Sequence, residues 1–102
     1  MPPEMALEIE RSPQARSDEL DIWLHIATDN VGAADRILDR LDDVVRMPAR
    51  HPAAGRSRSE LGEGMRSHPV EAYVIFYRHN DSTLTVVRIL SALRDTPPKL
   101  FD

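Results

Sequence analysis

The stretch from Met65 to Asp95 constrains the fold of this chain most strongly, because it reads as strands with a turn between them. Its two runs, 65–78 and 84–90, are rich in Val, Ile, Tyr, Phe and Thr, which suit a pleated, half-buried surface. The polar residues 79–82 separate the runs and include Asn and Asp, whose side chains favour turns by bonding nearby backbone. The pattern predicts an antiparallel hairpin.

Side chains alternate between the faces of a strand, so the runs also predict which residues share a face. The first run is expected to place Tyr73, Ile75 and Tyr77 on one face, and Val74, Phe76 and Arg78 on the other. The second run is expected to place Leu84, Val86, Arg88 and Leu90 on one face.

Four arginines mark the hairpin: Arg66 before it, Arg78 and Arg88 within it, and Arg94 after it. Two interpretations remain open. Each Arg can sit near a strand end, with its stem packed and its head in water. Alternatively, the arginines line a sheet surface that faces a partner.

Composition limits the classes of function. The 102 residues are expected to form a single domain, 1–102, without cysteine, which suits a reducing cytoplasm. The N-terminal residues lack the apolar core of a secretory signal, and no apolar run approaches the ~18 residues of a membrane span. The four histidines show no metal-ligand spacing and no phosphate-binding glycine loop is present, so we expect neither metal nor cofactor.

Charge is distributed unevenly along the chain. Residues 1–45 carry eleven acidic and four basic side chains, whereas residues 46–102 carry six acidic and nine basic ones. Twelve of the thirteen basic residues are Arg, the side chain suited to bidentate contact with carboxylates or phosphates. We therefore expect no direct nucleic-acid binding by the whole chain, and an acidic partner for its C-terminal half.

The N-terminal half reads as a strand followed by two helices. Residues 6–11 alternate apolar and charged side chains, and Ser12-Pro13 is a typical helix start. The first helix is expected to run to about Thr28, with Leu20, Trp23 and Ala27, flanked by Ala15, Ile22 and Ile26, on its buried face and Trp23 in the core. Apolar residues from Val31 to Val45 predict a second helix.

Met47-Pro48 is expected to end the second helix, and residues 48–64 to form a structured loop that carries Arg56 and Arg58. The order is strand, helix, helix, loop and three strands. It predicts an α+β fold, β-α-α-β-β-β, with a two-helix hairpin packed on a small, mainly antiparallel sheet.

Several short motifs in this order resemble the ParE toxins of the ParE/RelE superfamily, also labelled plasmid stabilisation proteins. They are Ser12-Pro13-Gln14-Ala15, Asp21-Ile22, Ala33-Ala34, Pro52-Ala53-Ala54-Gly55-Arg56, Arg58-x-Glu60-Leu61, Gly64-Met65-Arg66-Ser67, Tyr73-x-Ile75-Phe76-Tyr77-Arg78 and Arg94-Asp95. The resemblance covers Leu7 to Asp95. It implies the same β-α-α-β-β-β fold and a cytoplasmic toxin of a type II toxin–antitoxin system. It further implies neutralisation by a ribbon-helix-helix antitoxin in a hetero-oligomer, and DNA gyrase as the target.

RelE-like members of the superfamily cut messenger RNA on the ribosome, and this is the alternative activity. Such cleavage requires a general base, a general acid and cations for the phosphorane charge. Val74 stands where these enzymes carry a basic residue, and residues 91–94 contain neither His nor Tyr. This departure favours binding over catalysis, although Tyr77 and His79 remain as alternative candidates for the general acid or base. A toxin fold that has lost toxicity and only binds its antitoxin is the third reading.

No catalytic residue is therefore assigned. The residues expected to bind the antitoxin or the target are Arg56, Arg58, Arg66, Tyr77, Arg78, Arg88, Arg94 and Asp95.

Overall fold

The structure, a computed structural model, describes residues 6–93. Its helices and strands are β1 (Glu8–Arg11), α1 (Pro13–Ala27), α2 (Val31–Arg50), β2 (Arg56–Ser57), β3 (Arg66–Val70), β4 (Tyr73–His79) and β5 (Thr83–Ser91). Two single-turn 3₁₀ helices, Pro52–Ala54 and Ser59–Leu61, flank β2.

The five strands form one sheet in the order β1-β5-β4-β3-β2. β1 runs parallel to β5, and every other neighbouring pair is antiparallel. The predicted α+β class and mainly antiparallel sheet are thus confirmed. The prediction that residues 48–64 form only a structured loop was wrong at β2, because two residues are too few to show alternation. Pairing with Arg66 and Ser67 of β3 makes this segment a strand.

Side-chain caps start both helices where the sequence indicates. The Ser12 hydroxyl accepts a hydrogen bond from the Ala15 N–H at 3.0 Å, and Pro13 follows as the first helical residue. The Asn30 side chain accepts from the Ala33 N–H at 3.0 Å and begins α2. These caps satisfy backbone donors that have no partner within the helix. The short break 28–30 then folds α2 back along α1 as a helical hairpin.

The second helix does not end at Met47-Pro48, as its sequence predicted, but continues through Pro48 to Arg50. Proline in the last turn removes only one helical hydrogen bond, and Pro48 is buried. The Ala49 carbonyl accepts from the Leu7 N–H at 2.8 Å, which ties the helix end to the segment before β1. Packing and this bond outweigh the local preference to stop.

The buried face of α1 also differs from the prediction. Ala15 and Ile22 are buried, whereas Leu20 is 57% exposed and Trp23 is only half-buried. The Trp23 indole Nε1 donates to Asp35 of α2 at 2.8 Å, so Trp23 bridges the two helices rather than filling the core. Apolar residues occupy two sides of α1, and helical spacing alone does not distinguish the side that faces the sheet.

Two apolar clusters stabilise the sheet, one on each face. The helix-facing cluster lies between the helical hairpin and the sheet, and its buried members are Ala15, Ile22, Ile37, Leu41, Val45, Ala49, Val70, Ile75, Tyr77, Leu84, Val86 and Ile89. The opposite side of the sheet, here the open face, carries a smaller cluster of Leu61, Met65, Phe76 and Leu90, with Val74 and Val87 packed against it. The alternation predicted for β4 is confirmed, because Ile75 and Tyr77 lie on the helix side and Phe76 on the open face.

A β-bulge in β5 overturns the shared face predicted for Leu84, Val86, Arg88 and Leu90. Phe76 pairs with Arg88, but the next residue, Tyr77, pairs with Val86, so Val87 is extra. The extra residue shifts the alternation. Leu84 and Val86 therefore pack on the helix side, while Leu90 packs on the open face.

The bulge lies where α1 begins. The Ser12 N–H donates to the Val86 carbonyl at 2.9 Å, and its hydroxyl donates to the Val87 carbonyl at 2.7 Å. The start of the first helix is thereby fixed against β5 just beyond the residues that pair with β1.

Candidate partner-binding site

The open face concentrates arginines around a buried aromatic ring. Arg56, Ser67 and Phe76 are cross-strand neighbours on β2, β3 and β4, so their side chains share this face. Phe76 is 1% exposed, and Arg58 and Arg78 lie beside it on the chain segments that border the cluster. The result is an apolar floor with cationic groups above and around it.

Arg58 is held in place on this face. Its guanidinium carbon lies 5.4 Å from the centre of the Phe76 ring, which is cation–π distance. Its Nε donates to Glu60 at 2.9 Å, and its Nη1 lies 3.4 Å from the hydroxyl of Ser67. The hydrogen bond from Arg58 is the largest cause of a lowered pKa at Glu60. Glu60 therefore stays ionised and partly neutralises Arg58.

Arg78 carries a buried donor on this face that no group among residues 6–93 satisfies. Its Nε is buried and makes no hydrogen bond within the described residues. The guanidinium lies against Gly62, where a Cβ would stand 2.5 Å from Nη2, so a side chain there would displace the end of Arg78. An arginine with an unsatisfied donor above an apolar floor is a favourable contact point for a carboxylate, because Arg donors fit both carboxylate oxygens.

Arg56 lies at the edge of the sheet and is exposed. It lies two strands from Phe76 of β4, and neighbouring strands are ~4.8 Å apart. Arg78 is two residues farther along β4, so the Cα atoms of Arg56 and Arg78 are separated by roughly 12 Å. Two flexible arginine side chains can contact one extended segment at that separation. The open face thus brings together three of the predicted residues, Arg56, Arg58 and Arg78.

Arg66 and Tyr77, also predicted as binding residues, form a structural network with the turn before β2. The Tyr77 hydroxyl donates to the Pro52 carbonyl at 2.7 Å and accepts from the Gly55 N–H at 3.0 Å. Arg66 Nη1 donates to the Gly55 carbonyl at 2.7 Å. Tyr77 is fully buried, and burial raises its pKa despite the hydrogen bond from Gly55 and the charge of Arg66. These groups position the segment that presents Arg56 and Arg58.

Arg88 is engaged by the first helix. Its Nε and Nη2 donate to the two carboxylate oxygens of Asp18 at 2.8 and 2.9 Å. This bond raises the pKa of Arg88. Asp18 is buried, and its Oδ2 also accepts from the Ile89 N–H at 2.9 Å. Arg88 pairs with Phe76 in the sheet, and its guanidinium joins β5 to α1, so its charge is already engaged by Asp18.

Arg94 and Asp95, the remaining predicted binding residues, lie outside the described residues. His79, an alternative catalytic group, ends β4 in an exposed position, and its Nδ1 is 3.3 Å from the Asn80 carbonyl oxygen.

A second concave region separates the helical hairpin from the turn between β3 and β4. One groove of about 610 Å³ is lined by Arg36, Ile37 and Arg40 of α2 and by Glu71 and Tyr73. A smaller groove of about 280 Å³ lies on the other side of Tyr73 and contacts α1. Arg40 Nε is 3.8 Å from Glu71 across the larger groove.

Neither a metal site nor a membrane span is found within residues 6–93. No group of three or more His, Cys, Asp and Glu side chains there is arranged to hold a metal ion. No helix in this part of the chain has the length and apolar character needed to cross a membrane.

Comparisons with known proteins identify the family and agree with the fold. Residues 9–96 match the family model described as "ParE toxin of type II toxin-antitoxin system, parDE". A curated relative, Toxin ParE3 of Caulobacter vibrioides, is 32% identical over 76 residues, which cover 72% of this chain and 76% of the relative.

A solved structure titled "Chromosomal ParDE TA system from P. aeruginosa" has the same fold. The match has a TM-score of 0.71 at 16% identity and covers 85% of this chain and 97% of that one. Since the family model spans most of the sequence, the chain belongs to the ParE toxin family of type II toxin–antitoxin systems.

Proposed function

We propose that this protein inhibits DNA gyrase by binding it, and that a cognate antitoxin of the ribbon-helix-helix type neutralises it in the cytoplasm. Membership in the ParE toxin family supports the toxin–antitoxin role. The choice of binding over catalysis rests on the chemistry of the open face and of Tyr77.

The burial and hydrogen bonds of the Tyr77 hydroxyl are the main support for binding rather than catalysis. A general base or acid must reach the proton that it transfers. The Tyr77 hydroxyl is buried on the helix side and is bonded to Pro52 and Gly55, so it is not presented to a substrate. Val74 packs on the apolar floor of the open face, where a ribonuclease of this superfamily would carry a basic residue. Arginines without an acid–base partner are suited to binding.

The open face is the proposed contact for an acidic segment of the antitoxin. The Nε of Arg78 lacks a partner among residues 6–93 and Arg56 is exposed, so both residues gain hydrogen bonds when carboxylates approach. The antitoxin segment is expected to order as it binds and to cover the helices and a sheet edge. The groove beside Tyr73 offers apolar surface for its side chains. Arg66, Arg94 and Asp95 remain our candidates for toxicity.

RNA cleavage of the RelE type is retained as a second candidate because of one observation. His79 is exposed at the end of β4, so its imidazole is accessible to a substrate. A non-toxic protein that only binds its antitoxin is the third candidate.

Controlled expression in bacterial cells separates the three. Gyrase inhibition predicts filamentous cells with a DNA-damage response, and co-expression of the antitoxin encoded beside the toxin should suppress it. Arrested translation without DNA damage would favour the ribonuclease. Normal growth, with tight antitoxin binding, would favour the non-toxic protein.

Reversal of charge tests the open face. Arg78→Glu should weaken antitoxin binding at least tenfold, with a larger effect at low salt. Arg46→Glu, the same change at an exposed position of α2 that does not line the groove beside Tyr73, is the matched control for net charge. Arg88→Glu is a less informative variant, because the new carboxylate would face Asp18. Equal affinity of the Arg78→Glu and wild-type proteins at all salt concentrations would exclude this face as the contact.

A further inference from the structure

Arg58 of the open face already has a carboxylate partner within the chain. Its Nε donates to Oε2 of Glu60, two residues along, at 2.9 Å. The corresponding Nε and Nη2 donors of Arg88 bind both oxygens of Asp18, which shows how a carboxylate uses this edge of a guanidinium fully. Glu60 thus lies where a carboxylate of a partner would make two hydrogen bonds to Arg58.

Other contacts hold Arg58 in place independently of Glu60. The guanidinium carbon lies 5.4 Å from the centre of the buried Phe76 ring, and Nη1 lies 3.4 Å from the hydroxyl of Ser67. The Arg58 side chain is only 19% exposed. Its backbone is fixed as well, since the Arg58 N–H donates to the Met65 carbonyl at 2.7 Å. We therefore expect the guanidinium to keep its position when the charge of Glu60 is removed.

The Glu60 side chain, by contrast, can turn away from Arg58, because it is 61% exposed. Its backbone lies in the single-turn helix Ser59–Leu61. The buried Leu61 anchors this turn, and the Leu61 N–H donates to the Arg58 carbonyl at 2.9 Å. Rotation of the Glu60 side chain into water therefore requires no change in the backbone. Exposed ion pairs contribute little to stability, so an approaching carboxylate can displace Glu60.

We propose that Glu60 is an internal competitor for the acidic segment that the open face binds, an inference that rests on the proposed contact of the antitoxin with that face. In the free protein Glu60 takes the Nε of Arg58. In the complex a carboxylate of the antitoxin displaces Glu60 and binds the Nε and Nη2 of Arg58. The displaced Glu60 stays nearby and repels the negative charge that has replaced it. Competition and repulsion both lower the affinity of Arg58 for the antitoxin.

Such a competitor makes the open face selective for segments that carry several carboxylates. Exchange of Glu60 for one external carboxylate leaves Arg58 with the same kind of partner, so this exchange alone contributes little to binding. A segment that also reaches Arg56 or Arg78 gains contacts for which residues 6–93 offer no competing ion pair. Selectivity of this kind depends on rejecting the wrong ligand as well as on attracting the right one.

Surface plasmon resonance tests the proposal by measuring how fast the antitoxin encoded beside the toxin dissociates from the full chain. Glu60→Gln keeps the size of the side chain and removes its charge. We expect this variant to slow dissociation about two- to fivefold, because the antitoxin no longer competes with an exposed ion pair. In an Arg58→Ala background the same change should alter the rate by less than about 1.5-fold, since no guanidinium is left to release.

Glu63→Gln is the matched control, because it removes the same charge from the same loop. Glu63 is exposed and has no hydrogen bond or ion pair within residues 6–93. Its loss should change mainly the association rate, as expected for a charge at the rim of a contact. Slower dissociation of Glu63→Gln, equal to that of Glu60→Gln, would overturn the proposal, since the effect would then be one of net charge. Circular dichroism and thermal midpoints establish that each variant is folded.

The Arg78→Glu variant separates this inference from the proposed contact. If Arg78→Glu weakens binding while Glu60→Gln dissociates as fast as the wild type or faster, the open face remains the contact and Glu60 is not a competitor. If neither variant changes the binding of the antitoxin, the open face is excluded as the contact, and the role of Glu60 is excluded with it.

Discussion

Asp18 of α1 binds both the side chain of Arg88 and the backbone of the next residue, Ile89, at distances of 2.8–2.9 Å. β1 pairs with β5 only as far as Val86. Beyond that point, groups at the start of the first helix replace the missing strand. The Ser12 N–H and hydroxyl donate to the Val86 and Val87 carbonyls, and the Asp18 carboxylate accepts from the Ile89 N–H. One carboxylate therefore closes the edge of the sheet and fixes the orientation of α1.

Removal of this carboxylate should destabilise the whole fold. Asp18→Ala loses three hydrogen bonds, two of them to a charged group, and leaves the Ile89 N–H without its partner. We expect a loss of about 3 kcal/mol in the free energy of unfolding. Asp21→Ala, on the same helix and exposed, is the matched control and should change it by less than ~0.5 kcal/mol. Urea unfolding measures both, and equal midpoints would refute the role given to Asp18.

The contact between Gly55 and Tyr77 predicts a non-additive pair of substitutions. A Cβ at Gly55 would overlap the Tyr77 hydroxyl and lie 2.8 Å from ring carbon Cε2. Gly55→Ala should therefore cost about 1–3 kcal/mol through overpacking. Tyr77→Phe removes the hydroxyl and should relieve part of that cost. A double-mutant cycle should give a coupling of at least ~0.5 kcal/mol, and strict additivity would contradict the geometry.

Tyr77 also predicts a loss of stability at alkaline pH. Burial raises the pKa of Tyr77 in the folded protein above its ordinary value near 10. The folded chain therefore retains this proton at a pH where the unfolded chain releases it. The contribution of Tyr77 is complete below about pH 10 and declines as the pH rises further. Tyr77→Phe should show a shallower decline than wild type, with Tyr73→Phe as control. The same slope in all three would argue against a buried, protonated hydroxyl.

Phe76 should be the largest single contributor to the open-face cluster. It is 1% exposed among Leu61, Met65 and Leu90 and supports the guanidinium of Arg58. Phe76→Ala should cost on the order of 3–5 kcal/mol through cavity formation. Val87→Ala, half-buried on the same cluster, should cost much less. If the Phe76→Ala protein unfolds at the wild-type midpoint, the ring has been assigned to the wrong place.

Local sequence signals predicted the elements well where one interaction decides the outcome. Ser12-Pro13 and Asn30 cap their helices as expected, and Asn80 forms the predicted turn by accepting from the Ser82 and Thr83 N–H groups. Each of these signals depends on residues within three positions along the chain. Tertiary packing has little opportunity to override them.

The misplaced features all depend on contacts between distant residues. Pro48 remains helical because the Ala49 carbonyl bonds Leu7, and Trp23 lies off the core because the Asp18 side of α1 faces β5. The bulge at Val87 shifts every later face of β5. For the same reason, the sequence did not show which of the predicted binding residues have a structural role. Arg88, for example, pairs with Asp18, 70 positions away in sequence. Alternation and spacing carry no information about such pairs.

DNA supercoiling by purified gyrase, with and without the purified chain, tests the central claim most directly. We expect inhibition that rises with the concentration of the chain and is abolished by an equimolar amount of the antitoxin. Cleavage of messenger RNA on translating ribosomes is measured in parallel, and no cleavage is expected. RNA cuts at codon-defined positions, with supercoiling unaffected, would contradict the account and assign this fold a ribonuclease activity.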